Sequence, residues 1–149
     1  MARSLPDELA TEVARRLGAV DQRFTAGRRE LVGVLEGADR PLTVPEILAA
    51  ASAALPQSSA YRNLTVLLDA GVVRRLLGTD ELARFELAED LAGHHHHLLC
   101  STCGAVSDVS AAPKLERALS DAARLAAEEA DFEVTEHRID LVGVCSSCR

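Results

Sequence analysis

The sequence predicts an α+β chain in which an N-terminal winged helix-turn-helix domain is followed by a small α/β domain, and three observations carry this expectation. Apolar residues recur at helical spacing in four segments before residue 70, and the last passes directly into a hairpin pattern at VVRRLLGTDELARFEL. A polar and small-residue connector, AEDLAG, separates that half from a stretch of different character that begins at His94. Two Cys-x-x-Cys pairs then bracket the second half. The expected boundaries are residues 1–87 for the first domain, 88–93 for a hinge and 94–149 for the second domain.

The elements follow in chain order. LPDELATEVARRL places Leu5, Leu9, Val13 and Leu17 on one helical face, with Arg15 and Arg16 on others. A second helix follows Thr25 as N-cap and stops at Gly37. In LTVPEILAAASA, Thr43 is the expected N-cap, and Pro45 sits early in the helix, where a missing N–H costs little. The fourth segment, PQSSAYRNLTVLLDAG, has Ser58 and Ser59 as candidate caps and an apolar stripe of Leu64, Leu67 and Leu68. It shows a polar face of Ser59, Tyr61, Arg62 and Asn63 and ends at Gly71. The hairpin turns at Gly78-Thr79-Asp80. Beyond the hinge, HHHHLLC and AVSDVS read as strands flanking the first Cys-x-x-Cys, APKLERALSDAARLAAEEA as a helix, and FEVTEHRIDLVGVC as a last strand.

With 48% of its 149 residues apolar, the chain is long enough to build two small cores. The apolar stretches are short and broken by charge, and MARSLPDELATE lacks a leader-peptide pattern, so a soluble, cytoplasmic protein without a membrane partner is expected. A reducing compartment argues against disulfides, and the paired cysteines then read first as a metal site or a redox motif. The formal charge of −7 disfavours broad affinity for nucleic acid. Residues 1–93 carry 11 Arg against 14 Asp plus Glu, and residues 94–149 carry 5 basic against 9 acidic side chains. Any contact with phosphate therefore has to come from a local arginine cluster.

Cys100, Cys103, Cys145 and Cys148 can present four thiolates from two tight turns, which suits tetrahedral zinc(II). Four plain buried thiols and a reversible dithiol are the competing readings. Zinc is preferred because redox motifs usually occur as one pair at a helix N-terminus, whereas both pairs here end strands. His94 to His97 is placed too far inside the chain to be a purification-tag scar. On a strand His95 and His97 face one side while His94 and His96 face the other, so one run can serve two metal sites. Further donors are Glu86 at the end of the hairpin, Asp108 on the strand after the first cysteine pair, Glu116 on the helix and His137 on the last strand. His137 shares its strand face with Ile139 and Leu141, so a partly buried, satisfied histidine competes with a ligand role there.

These segments resemble the ferric uptake regulator (Fur) family of bacterial metal-dependent repressors, over almost the whole chain. SSAYRNLTVLLDAGVVRRL resembles the family's recognition helix leading into its wing, and ARFEL the strand before its hinge. HHHHLLCSTCGAVSD resembles its signature, and HRIDLVGVCSSC its C-terminal strand and second cysteine pair. The resemblance implies a DNA-binding, non-enzymatic regulator, with the second domain serving dimerisation. It implies structural zinc at the four cysteines and a regulatory divalent ion at Glu86, His95, His97 and Asp108. A further site is implied at His94, His96, Glu116 and His137. Two departures stand out. Arg40 occupies the place of a histidine that many relatives use in the regulatory site, which counts against the peroxide-sensing variant, whose iron-catalysed oxidation uses that histidine. Glu116 lies one residue beyond the strict spacing, where Leu115 stands. The regulatory donors are nitrogen and oxygen only, which zinc(II), iron(II), manganese(II) and nickel(II) all accept, with zinc or iron leading.

The N-terminal residues of a recognition helix touch base edges, so Tyr61 and Arg62 are the expected readers of a double-stranded DNA operator, with core packing as the competing role for Tyr61. Arg28, Arg29, Arg74, Arg75 and Arg84 are candidate phosphate contacts. The expected molecule is a homodimeric repressor whose regulatory ion bridges the hinge and fixes the two domains. Two other classes remain distinguishable. A zinc hydrolase would need an open coordination position and a nucleophile motif, and the sequence has no His-Glu-x-x-His helix. A zinc-buffering or interaction module would have no use for the winged-helix pattern. Glu89, Asp90 or water are the candidates to replace the missing histidine.

Overall fold

The computed structural model describes residues 5–52 and 54–149. The start of the segment read as lacking a leader peptide, residues 1–4, and Ala53 near the end of the third helical segment lie outside the described residues.

Four helices build the first half: α1 (Asp7–Ala19), α2 (Ala26–Glu36), α3 (Val44–Ala50) and α4 (Gln57–Asp69). Their apolar faces meet in one core, in which Leu17, Leu31, Ile47, Leu64 and Leu67 are fully buried. Each such side chain contributes roughly 1.5–3 kcal/mol relative to exposure. Thr25 caps α2 by accepting from the Arg28 N–H at 3.5 Å. At α3 the cap is reciprocal: Thr43 Oγ1 accepts from the Glu46 N–H, and Glu46 Oε2 accepts from the Thr43 N–H at 2.7 Å. The serines expected to cap α4 do not. The helix is entered from Pro56, whose carbonyl accepts from the Ser59 and Ala60 N–H groups, and Ser58 and Ser59 fall inside the first turn.

The polypeptide leaves α4 through Gly71, at φ +67°, and forms the antiparallel wing β1 (Val73–Leu77) and β2 (Ala83–Leu87), paired from Val73↔Leu87 to Leu77↔Ala83. Leu42 bridges Phe85 on the far side of β2, which ties the wing to the loop before α3. The connector holds one short helical turn, α5 (Glu89–Ala92). Arg16 of α1 clasps it by donating to the Gly71 carbonyl at 2.6 Å and pairing with Asp90.

The second half is a three-stranded sheet in the order β4-β3-β5, with β3 (His95–Cys100) central, β4 (Val106–Ser110) antiparallel to it and β5 (Asp140–Gly143) parallel. The helix α6 (Pro113–Ala130) connects β4 to the segment before β5. The expected last strand is much shorter than FEVTEHRIDLVGVC suggests. The parallel ladder on β3 begins at His97↔Asp140, with the His97 N–H donating to the Ile139 carbonyl at 3.3 Å, and residues 132–138 belong to no strand. This half buries little: among residues 94–149 only His96, His97, Cys100, Gly104 and Val106 are buried. Leu125, Phe132, Leu141, Val142 and Val144 are exposed, which leaves an apolar strip along α6, its following loop and the free edge of β5. None of the described helices is long and apolar enough to cross a membrane.

The two halves touch at the tip of the wing. Thr79 Oγ1 donates to the Cys100 carbonyl at 2.7 Å. Asp80 lies over Gly104, where a Cβ would come within 2.3 Å of its Oδ2, and Gly104 itself has φ +73°. Position 104 thus requires glycine for both the turn and the contact.

Candidate metal centre

Cys100 at the end of β3 and Cys103 in the turn after it meet Cys145 and Cys148 in the turn after β5. The parallel β3–β5 pairing ends at Cys100↔Gly143, which delivers both turns to the same end of the sheet. Cys103 Sγ and Cys145 Sγ are 3.8 Å apart, and all four sulfurs lie within 4.8 Å of one another. Four sulfurs about 2.3 Å from a tetrahedral zinc ion stand roughly 3.8 Å from each other, the separation of Cys103 and Cys145, and the whole set is gathered closely enough to hold that ion. The electrostatics agree. The Cys145, Cys103 and Thr102 N–H groups point at Cys100 Sγ and lower its pKa to about 6, whereas hydrogen bonds with the neighbouring thiols and the Cys100 charge push Cys148 up to about 12. Four thiols packed this closely lose their protons together only around a cation.

One face of β3 and the wing supply the second cluster. Glu86 Oε2 lies 3.1 Å from His95 Nε2 and 3.2 Å from His97 Nε2. Asp108, opposite His97 across β3–β4, stands 3.7 Å from His97 Nε2 and 3.8 Å from His95 Nε2. The other ring nitrogen of each imidazole is tied down: His95 Nδ1 donates to the Gly93 carbonyl at 2.9 Å, and His97 Nδ1 faces Asp140 Oδ1 at 3.2 Å. In that tautomer both Nε2 lone pairs converge on a carboxylate oxygen, an acceptor-to-acceptor arrangement that a divalent cation would satisfy. Burial pushes Glu86 up and His97 down; for Glu86 the contacts with His97 and His95 and the Arg74 charge outweigh it, and for His97 the carboxylates of Glu86, Asp140 and Asp108 do. Glu86 is lowered and His97 raised. Asp108 is raised, chiefly by burial, with the Glu86 charge adding to it and His95, His97 and Arg74 opposing it.

On the opposite face, Glu116 gathers three imidazoles. Its Oε2 lies 3.0 Å from both His94 Nε2 and His137 Nε2, and its Oε1 lies 2.7 Å from His96 Nε2. Glu116 is lowered, chiefly by the His96 hydrogen bond. Glu116 is the residue that reaches the histidines, although Leu115 stands at the strict family spacing. His137 comes from the irregular segment before β5, not from the strand read from the sequence, and is half-buried.

The candidate DNA contacts separate into two groups. Tyr61, at 49% exposure, is on the outside of α4 and not in the core, and Arg62 next to it and Arg75 on β1 are exposed as well. Ser59 Oγ accepts from Arg62 at 3.3 Å, and Arg29 stacks 4.2 Å over the Phe24 ring. The other arginines are spent inside the protein. Arg28 binds Asn63, the Arg23 carbonyl and Gln22, which fastens α4 to α2, and Arg84 is buried in a two-pronged pair with Asp80. Arg74 has left the phosphate-contact group altogether: its guanidinium pairs with Glu86 and lies 3.4 Å from both Glu89 Oε2 and His95 Nε2.

Arg74, Glu89 and Asp140 are the site residues that sequence reasoning missed in these roles. Asp140 was findable only from the parallel register. Arg74 faces Glu86 because the wing loop spans residues 78–82 and centres on Asp80; the turn read at Gly78-Thr79-Asp80 would have set it opposite Arg84. Arg40 turns away to Glu46, at 2.9 Å, and Asp90 is held by Arg16, so neither joins the cluster.

Comparison with known proteins agrees with this geometry. Residues 19–142 match the profile of the ferric uptake regulator family. The peroxide-responsive repressor PerR of Staphylococcus aureus is 32% identical over 149 residues, covering 98% of this chain and 95% of that protein. Among solved structures, the Helicobacter pylori ferric uptake regulator Fur superposes with a TM-score of 0.77 at 19% identity, covering 99% of this chain and 96% of that one. A zinc-bound manganese uptake regulator superposes with a TM-score of 0.67 at 28% identity, covering 91% and 97%.

Proposed function

The chain belongs to the ferric uptake regulator family, and from that premise we propose that it is a cytoplasmic, metal-responsive transcriptional repressor that binds an operator as a homodimer. Residues up to 87 form the DNA-binding unit, 88–93 the hinge, and 94–149 the unit that dimerises and holds metal. The relatives point the same way, being a peroxide-responsive repressor and a zinc-bound manganese uptake regulator. The peroxide response is not carried over, because Arg40 stands where the oxidisable histidine is expected and faces Glu46.

The observation that carries the reading is the mixed origin of the second cluster. Glu86 belongs to β2 of the wing, whereas His95, His97 and Asp108 belong to β3 and β4 on the other side of the hinge. A divalent ion held by all four ties the recognition helix to the dimerisation sheet. Zinc(II) and iron(II) are the leading ions, with manganese(II) and nickel(II) compatible with the same nitrogen and oxygen donors. When bound, the ion supplies charge and fixed geometry, not chemistry on a substrate. The four-cysteine zinc is structural. The exposed strip of Leu141, Val142 and Val144 on the edge strand is the surface a second copy covers. Tyr61 and Arg62 then enter successive major grooves, with Ser59, Arg29 and Arg75 near the backbone. A coupling of about 1–3 kcal/mol between ion and operator is enough to change occupancy up to roughly a hundredfold.

The test is an operator-binding titration, metal by metal, on dimer that keeps its four-cysteine zinc, with metal content measured in parallel. DNA affinity should rise with occupancy of the mixed cluster and fall when that ion is chelated, and His95→Ala should abolish the response. Affinity indifferent to the ion would refute the switch.

A further inference from the structure

Arg74 lies against the mixed cluster to which the regulatory reading assigns an ion, and its contacts account for its being there. It is paired with Glu86 in the wing register, so both side chains leave the same face of the hairpin. Its Nε binds Glu86 Oε1, its Nη2 lies 3.4 Å from His95 Nε2, and its Nη1 lies 3.4 Å from Glu89 Oε2. The guanidinium therefore engages one carboxylate and one imidazole of the four-residue donor set: it holds Glu86 through Oε1, the oxygen not shared with the histidines, and it faces His95 Nε2, an atom an incoming ion would use. Glu89 holds it there from the hinge side, and the same Glu89 also grips His94 Nδ1. The pair is shielded, with the Arg74 and Glu86 side chains 19% and 8% exposed.

We propose that Arg74 is a resident counter-cation that competes with the regulatory ion for Glu86 and His95, and so sets the free-metal concentration at which the switch operates. The inference rests on the regulatory reading of the cluster. Without an ion, Arg74 balances part of the charge of Glu86 and Asp108 and stabilises the metal-free arrangement. An ion entering the cluster has to move the guanidinium off Glu86 or bind beside it against like-charge repulsion, and either route weakens apparent affinity. Arg74 gives the site a threshold that the four donors alone would not have. The opposite role, in which Arg74 pre-orients Glu86 for the ion, predicts the opposite sign for its removal.

The experiment measures cobalt(II) affinity by its ligand-field absorption in competition with a chromophoric chelator. The protein is full-length dimer with its four-cysteine zinc retained and His137→Ala present throughout, so that the second cluster, short of a ligand, does not compete. Arg74→Met removes the charge and keeps an apolar stem, and Arg74→Lys keeps the charge. Cobalt(II) should bind Arg74→Met tighter by on the order of tenfold or more, while Arg74→Lys stays close to the parent. Equal or weaker binding by a folded, zinc-replete Arg74→Met dimer overturns the inference and leaves the regulatory reading standing. If Arg74→Met does not fold, Arg74→Lys decides alone: a charge-retaining variant that binds much tighter than its parent overturns the proposal. A parent that takes up no cobalt(II) at this cluster overturns both readings together.

Discussion

Cys145→Ser should unfold one half of this molecule and spare the other. Among the buried apolar side chains, only Cys100 and Val106 belong to residues 94–149, whereas the helical half buries Leu17, Leu31, Ile47, Leu64, Leu67 and a dozen others. Val106 contributes roughly 1.5–3 kcal/mol, against an ordering cost of about 1–2 kcal/mol for each residue fixed. A structural zinc supplies on the order of 10–16 kcal/mol, so within one chain the ion, not the core, holds this sheet. Serine offers a neutral hydroxyl in place of a thiolate, so the variant should lose its chelator-resistant zinc. Amide protection should then collapse over His97–Cys100 and Asp140–Gly143, which are paired only with each other and with β4. Hydrogen exchange followed by mass spectrometry should still find the core of α2 and α4 protected. The competing source of stability is the proposed dimer contact, in which a second copy would cover the exposed Leu141, Val142 and Val144. If protection at β3 and β5 persists in a zinc-free variant, dimer packing carries the sheet and the argument from zinc is wrong.

Four further outcomes are expected. Glu46 is pushed up by burial, but Arg40 and the Thr43 donors outweigh this and hold it at about 2 against an ordinary 4.5, so its stabilisation is complete above pH 4.5 and fades as pH falls toward 2. Glu46→Ala should therefore cost about 1 kcal/mol near neutral pH, the shift itself being discounted for solvent exposure, and the gap in urea midpoints should narrow between pH 5 and 3. Leu64→Ala removes a fully buried contact of α4 and should lower unfolding stability by roughly 2–5 kcal/mol in the same assay. Tyr61→Ala should weaken operator binding by roughly 1–3 kcal/mol in a fluorescence-anisotropy titration, with the melting temperature unchanged because the ring is exposed. Gly104→Ala puts a Cβ at φ +73° against Asp80 and should destabilise by roughly 1–3 kcal/mol. Trypsin should then cut faster at Arg84, whose pairing with Asp80 that clash disturbs.

Legibility followed the range of the interactions. The four helices, the hairpin and the two cysteine turns are set by neighbours a few residues apart, and periodicity and turn chemistry report such neighbours directly. The two-faced histidine run was legible for the same reason: strand alternation alone sends His95 and His97 one way and His94 and His96 the other. Long-range register was not legible. FEVTEHRIDLVGVC alternates as a strand should, yet only Asp140–Gly143 forms one, because pairing depends on where β3 ends. Asp140 reaches His97 through that same register. Ser58 and Ser59 had the right chemistry for a cap, but a local rule could not see that Pro56 had already fixed the entry to α4. Arg74 was misplaced for a different reason: an arginine on a wing reads as a DNA contact until its cross-strand partner is known to be Glu86.

The distribution of arginines gives the acidic charge a mechanical meaning. Arg16, Arg28, Arg74 and Arg84 are all spent on carbonyls, amides and carboxylates that hold helices, wing and hinge in place. Few are left for phosphate, and Arg62, Arg75 and Arg29 are the ones the surface still offers near the recognition helix. A protein with so little free positive charge gains little from non-specific attraction to DNA. Its affinity then depends on whether two recognition helices are presented at the correct spacing, a property of the hinge. The wing is fixed at its tip by Thr79 on Cys100 and at its base by Glu86 among the histidines of β3. In the function proposed above, zinc at the four cysteines anchors the first contact and an ion in the mixed cluster locks or releases the second. On the proposed reading, an ion at Glu86 acts on a lever whose other end is already pinned, so a change confined to four side chains would reorient a whole recognition helix.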